Sequence, residues 1–191
     1  MARRNVHFTQ GEYYHIYNRG CNKVKIFQED ENYRYLLKYF LRYIREYNIS
    51  PVAYCLMPNH YHFLIRQDGK KSAGRAFQFL FNRYTKAFNV MYRRTGTLFE
   101  GPFKSIHVNR SGYLIYLCRY IHRNPVDAGL VRSPEEWRYS DYKEWIGQRA
   151  GALVDREFIK THFKDPEDYR SFVLAGVEGG PTHLPMLYRG K

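Results

Sequence analysis

Cysteine is scarce: three residues in 191, Cys21, Cys55 and Cys118, an odd number with no C-x-x-C spacing. That argues against a disulfide framework and a thiolate zinc site, and suits a reducing compartment. No run of about 18 apolar residues exists to span a bilayer, and no charged-then-apolar leader opens the chain. The expectation is a soluble, intracellular protein without a membrane partner. There is no internal repeat. Acidic residues are outnumbered, 18 against 31 Lys and Arg, leaving a net charge of +13 and a pI near 9.7. Such an excess favours a polyanionic partner, nucleic acid ahead of an anionic membrane surface. Aromatics make up 18% of the chain, with 19 Tyr and 13 Phe. Many of them must be core, yet basic side chains interleaved with rings also suit single-stranded nucleic acid, whose unstacked bases lie on rings.

The most informative stretch is Tyr54 to Arg66. Apolar, strand-forming residues flank Pro58-Asn59, which supplies a tight turn, so the stretch reads as a hairpin. His60 and His62 then share one face of its second strand, about 6 to 7 Å apart at their base. Tyr61, Phe63 and Ile65 alternate with them and face the core. Upstream, Tyr13 to Tyr17 reads as a strand closed by Asn18-Arg19-Gly20. His15 within it reads as structural before it reads as a ligand. Tyr33, Leu36, Leu37, Phe40, Leu41 and Ile44 recur at helical spacing after Asp30-Glu31, until Pro51 forbids continuation. A second helix from about Ser72 to Arg93 buries Ala76, Phe77, Leu80, Tyr84, Phe88 and Met91. Phe103 to Val108 is a fourth strand, and a third helix runs from a Ser111 cap to Asn124, stopped by Pro125.

This order predicts an α+β fold, a ferredoxin-like βαββαβ antiparallel sheet with two helices on one face and the His pair on a central strand, on the other face. An irregular region anchored by Trp137 follows. Residues 1–150 form the main domain. Residues 151–191 form a C-terminal tail packed on it or extending from it, with short helices near Glu157–Phe163 and Tyr169–Ala175 and a flexible end at Gly179-Gly180-Pro181.

Two neighbouring imidazoles can hold one divalent metal and leave positions for water and a substrate oxygen. The alternative is a pair of partly exposed strand histidines. Cys55 would serve a soft site as third ligand, whereas an oxygen-preferring Mg2+ or Mn2+ could use Asn124. Tyr113, Tyr116 and Tyr120 share a helix face, with Asn124 four residues past Tyr120. A phenol becomes a reasonable nucleophile beside a metal-bound phosphate that holds it in line. Otherwise these are core rings.

Leu56-Met57-Pro58-Asn59-His60-Tyr61-His62-Phe63-Leu64-Ile65 resembles the His-hydrophobic-His (HUH) signature of the single-tyrosine transposases. Tyr14-His15-Ile16-Tyr17-Asn18-Arg19-Gly20 and Tyr120-Ile121-His122-Arg123-Asn124-Pro125-Val126-Asp127-Ala128-Gly129-Leu130-Val131 are similar to segments of their REP-associated branch. The resemblance spans about residues 8 to 146. It implies a metal-dependent endonuclease and strand transferase for single-stranded DNA, recognising a hairpin of a repetitive extragenic palindrome. By the same resemblance His60, His62 and Asn124 are metal ligands for Mg2+ or Mn2+, and Tyr120 on the C-terminal helix is the nucleophile, forming a 5′-phosphotyrosine. It also implies a cytoplasmic, nucleoid-associated monomer, with a dimer as the alternative. Candidate DNA contacts are Arg3, Arg4, His15, Asn18, Arg19, Lys70, Lys71, Arg83, Lys86 and Lys104. The chain departs from the pattern at Pro102, where a basic or polar residue is commoner, and at Asp141, where Ser is. A hairpin-binding regulatory protein with an idle site is the competing function.

Overall fold

The computed structural model describes residues 6–109 and 111–175; Arg3, Arg4, Gly179-Gly180-Pro181 and the side chain of Ser111 lie outside them. Strand alternation organises what is described. In β1 (Tyr13–Arg19) Tyr14 and Ile16 face one way, and in β3 (His60–Gln67) Tyr61, Phe63 and Ile65 face the same way. The odd-numbered residues of β1 and the even-numbered residues of β3 face the other way. With β2 (Ile49–Met57) and β4 (Lys104–Val108) they form one four-stranded sheet in the order β2-β3-β1-β4, all pairs antiparallel. This fits the expected ferredoxin-like arrangement, and the His pair is on a central strand.

On the first face lie α1 (Asp30–Tyr47) and α2 (Ala73–Met91). Asn32 Oδ1 accepts from the backbone N–H groups of Gln28 and Glu29, closing the start of α1. The core beneath is a cluster of tilted and edge-on rings: Phe63 meets Phe40 at 4.5 Å and Phe77 at 5.4 Å between centroids. Burying one such ring contributes roughly 1.5–3 kcal/mol. Met91, expected in this core, is 48% exposed, its Sδ accepting from Asn32 Nδ2 of α1.

On the second face lies α3 (Ser111–Asp127), joined by α4 (Tyr142–Trp145), α5 (Arg156–His162) and α6 (Pro166–Leu174). Leu114, Leu117, Cys118 and Ile121 of α3 pack on Ala53, Cys55 and Leu64, and Phe158, Phe163, Tyr169 and Val173 belong to the same cluster. Trp137 donates Nε1–H to Leu56 O at 3.1 Å, as an anchor should.

Both proline expectations need correcting. Pro125 lies inside α3 and does not stop it. The helix ends at Asp127, capped by Gly129, whose φ of +69° allows Gly129 N–H to bond Val126 O and Leu130 N–H to bond Pro125 O, a Schellman cap. Pro51 does not terminate α1 either, since Asn48 at φ 50° has already turned the chain. Pro51 sits within edge strand β2, beside its register irregularity, where a missing N–H is tolerated.

Candidate active site

The second sheet face carries His15, Tyr17 and Arg19 from β1 beside His60 and His62 from β3, with Tyr17 opposite His62 and Arg19 opposite His60. Helix α3 closes over this face and delivers residues one turn apart. Asn124 Oδ1 stands 2.9 Å from His60 Nε2, while the Tyr120 ring meets His62 edge-on at 5.4 Å between centroids. The turn residue Asn59 presents Oδ1 to His60 Nδ1 at 2.7 Å. Asn124 is buried and Tyr120 half-buried, so the phenol lies at the edge of the cluster.

Burial decides the protonation of this group. It lowers the pKa of His60 to about 4, with the Asn124 hydrogen bond opposing and the Arg19 charge assisting. His62 is held well below its ordinary value by burial and by the neighbouring His60 and His15. His15 falls to about 3 through burial alone. All three imidazoles are therefore neutral at pH 7 and retain one lone pair each. The Tyr120 phenol is raised by burial, against an opposing hydrogen bond with Asn124.

The donor set fits a divalent cation. His62 Nε2 is fully buried and has no hydrogen-bond partner among the described residues. If His60 donates Nδ1–H to Asn59, its Nε2 lone pair faces the Asn124 oxygen, an arrangement that a cation relieves. Adjacent ligands of an octahedral ion with bonds of about 2.1 Å stand about 3 Å apart, close to the observed His60–Asn124 separation. Among the described residues no three His, Cys, Asp or Glu side chains group as ligands, and the oxygen beside His60 Nε2 is that of the Asn124 amide. Cys55 faces the same side, in register with His62, but burial pushes its thiol up and away from the thiolate a soft site needs.

The other expected residues divide. Tyr120, His60, His62 and Asn124 come together. Tyr116 turns away to Phe172, 5.5 Å between centroids, and Tyr113 packs at the rim of the core. His15 and Asn18, both expected as DNA contacts, are buried, each 3% exposed. Asn18 spends its Nδ2–H on Gly101 O, and His15 bonds His62. Arg19 reaches the site rim, paired to Glu100 at 2.6 Å, and exposed Lys104 sits opposite Tyr17 in the next strand. Lys70 and Lys71 follow the far end of β3, and Arg83 and Lys86 lie on α2 behind the sheet.

A buried chain was not foreseen. His122, between Tyr120 and Asn124 on α3, bonds Asp141 Oδ1 at 2.9 Å through Nε2 and the Tyr169 hydroxyl through Nδ1. Asp141 also accepts from Tyr54 N–H and Trp145 Nε1–H. Asp141 and Tyr169 thus tie the site helix to β2 and α6. Only the unusual Asp141 hinted at it in the sequence.

Comparison with known proteins supplies the context. A REP-associated tyrosine transposase solved with a REP hairpin shares the fold at a TM-score of 0.62 and 15% identity, covering 81% of this chain and 94% of that one. A candidate transposase from Deinococcus radiodurans R1 aligns at a TM-score of 0.43 and 14% identity, over 64% of this chain and 95% of that one. No curated protein matches. The family model for IS200-like transposases matches residues 9–124, a stretch that begins before β1 and contains His60, His62, Tyr120 and Asn124. With more than half of its length in that match, the chain belongs to the IS200-like transposase family.

Proposed function

We propose that this protein is a metal-dependent endonuclease and strand transferase of the REP-associated type, acting on single-stranded hairpin DNA through a 5′-phosphotyrosine. The observation that carries the reading is the meeting of α3 with the sheet: Tyr120 against His62 and Asn124 against His60. Residues 1–150 would hold this chemistry, with 151–191 as a tail packed on that domain or extending from it. The protein would work as a monomer on the nucleoid, in the cytoplasm.

His60, His62 and Asn124 would hold Mg2+ or Mn2+, which when bound supplies positive charge against the phosphoryl oxygens. Buried and neutral, the two imidazoles keep their lone pairs for that purpose without competition from protons at pH 7. The Tyr120 oxygen attacks phosphorus as its proton departs. The 3′ oxygen of the upstream nucleotide leaves and ends as a hydroxyl, while the downstream 5′ phosphate stays on tyrosine. Burial raises the phenol pKa, so it starts protonated, and its edge-on packing against His62 orients it. One phosphodiester replaces another, so a second 3′-hydroxyl can reverse the step and join strands without ATP. The rim cations Arg19 and Lys104 suit the flanking backbone.

The test is a denaturing gel with labelled REP-like hairpin oligonucleotide and Mg2+ or Mn2+. Wild-type protein should yield a covalent adduct, and Tyr120→Phe should reduce it at least about 1000-fold while leaving binding intact. An undiminished adduct in the variant rules out Tyr120 as the nucleophile. Tight binding by wild type without an adduct would support the regulatory binder, and cleaved DNA free of protein would mean water is the nucleophile.

A further inference from the structure

The hydrogen bond between His15 Nε2 and His62 Nδ1 is 2.9 Å long and joins two side chains that are 3% and 0% exposed. Their rings lie nearly parallel, 21° apart, with the Tyr17 ring tilted by 31° alongside, 4.9 Å from His15. Their outer nitrogens, His15 Nδ1 and His62 Nε2, have no hydrogen-bond partner among the described residues. A neutral imidazole has one N–H and one lone pair, so only one ring can donate across the pair. If His15 donates, the His62 proton sits on Nε2, and that nitrogen can bind no cation. If His62 donates, its Nε2 carries the lone pair and the second proton rests on His15 Nδ1. Each state leaves one buried N–H without an acceptor, so the pair by itself has little preference. A positive charge at His62 Nε2 selects the second state.

We propose that His15 is a positioning residue: by accepting the Nδ1–H of His62 it holds that ring in the tautomer, and at the angle, in which Nε2 can ligate a divalent cation. This rests on His62 being a metal ligand. An imidazole thus fills the place usually taken by a carboxylate or a carbonyl behind a metal-bound histidine.

The experiment measures Mn2+ affinity of the full chain, from the electron paramagnetic resonance of unbound ion, together with 15N–1H correlations of the His62 ring in Mg2+-loaded wild type. The ring should be protonated at Nδ1. His15→Leu should weaken Mn2+ binding about 10- to 100-fold. His15→Gln, whose Oε1 can accept from the same nitrogen, should restore most of it. A His62 ring protonated at Nε2, wild-type affinity in His15→Leu, or failure of His15→Gln to exceed the Leu variant would each overturn the proposal. His62→Ala separates the two levels: if that variant binds Mn2+ like wild type, His62 is not a ligand and the underlying reading fails as well.

Discussion

The two faces of one sheet are built to different rules. Beneath α1 and α2, Tyr61, Phe63, Phe77 and Phe81 pack ring against ring, and the buried Tyr84 hydroxyl is satisfied by the Ile26 carbonyl. Beneath α3, His15 of β1 and His62 of β3 each leave a buried nitrogen without a hydrogen-bond partner among the described residues. Such groups cost about 1–3 kcal/mol each when nothing satisfies them. Both faces hold apolar core, but the second also carries a cost that a bound ligand would remove.

Adjacent residues of β3 test this contrast most sharply. Phe63→Ala should cost about 3–5 kcal/mol in urea denaturation. The double substitution His15→Leu with His62→Leu removes both partners of a buried bond, so it should shift metal-free stability by no more than about 1 kcal/mol. Equal losses on the two faces would erase the distinction.

Acid should act on the site face. The unfolded chain takes up protons on its histidines below about pH 6.5. In the folded protein His60 resists protonation to about 4 and His15 to about 3. Depressed pKa values mean that this contribution to stability is complete above pH 6.5 and is lost as the pH falls toward 4. Metal-free protein should lose roughly 3–4 kcal/mol between pH 7 and pH 5, read from urea midpoints. A flat profile would place these imidazoles in water. The smallest effect belongs to the rim, where Lys104→Ala should lower the salt-dependence slope of single-stranded DNA binding by about 0.7.

Local pattern carried much of this into the sequence. Alternation separated His60 and His62 from Tyr61, Phe63 and Ile65, and helical spacing placed Asn124 one turn past Tyr120. The prolines misled because their local rule is conditional: Pro125 is accommodated in the last turn before a glycine cap, and Pro51 on an edge strand. The His15–His62 bond links positions 47 apart, and His122 meets Asp141 and Tyr169 across 19 and 47. No local period encodes such pairs. His15 was nevertheless within reach: once Tyr14 and Ile16 face the core and β1 pairs with β3, it must share the face of His62.

The most direct test of the central claim is to trap the protein on hairpin DNA, digest both, and map the nucleotide-bearing peptide by mass spectrometry. The account predicts a phosphodiester-linked remnant on Tyr120, the tyrosine that α3 sets against His62. A remnant on Tyr113 or Tyr116, or cleaved DNA with no modified peptide, would contradict it.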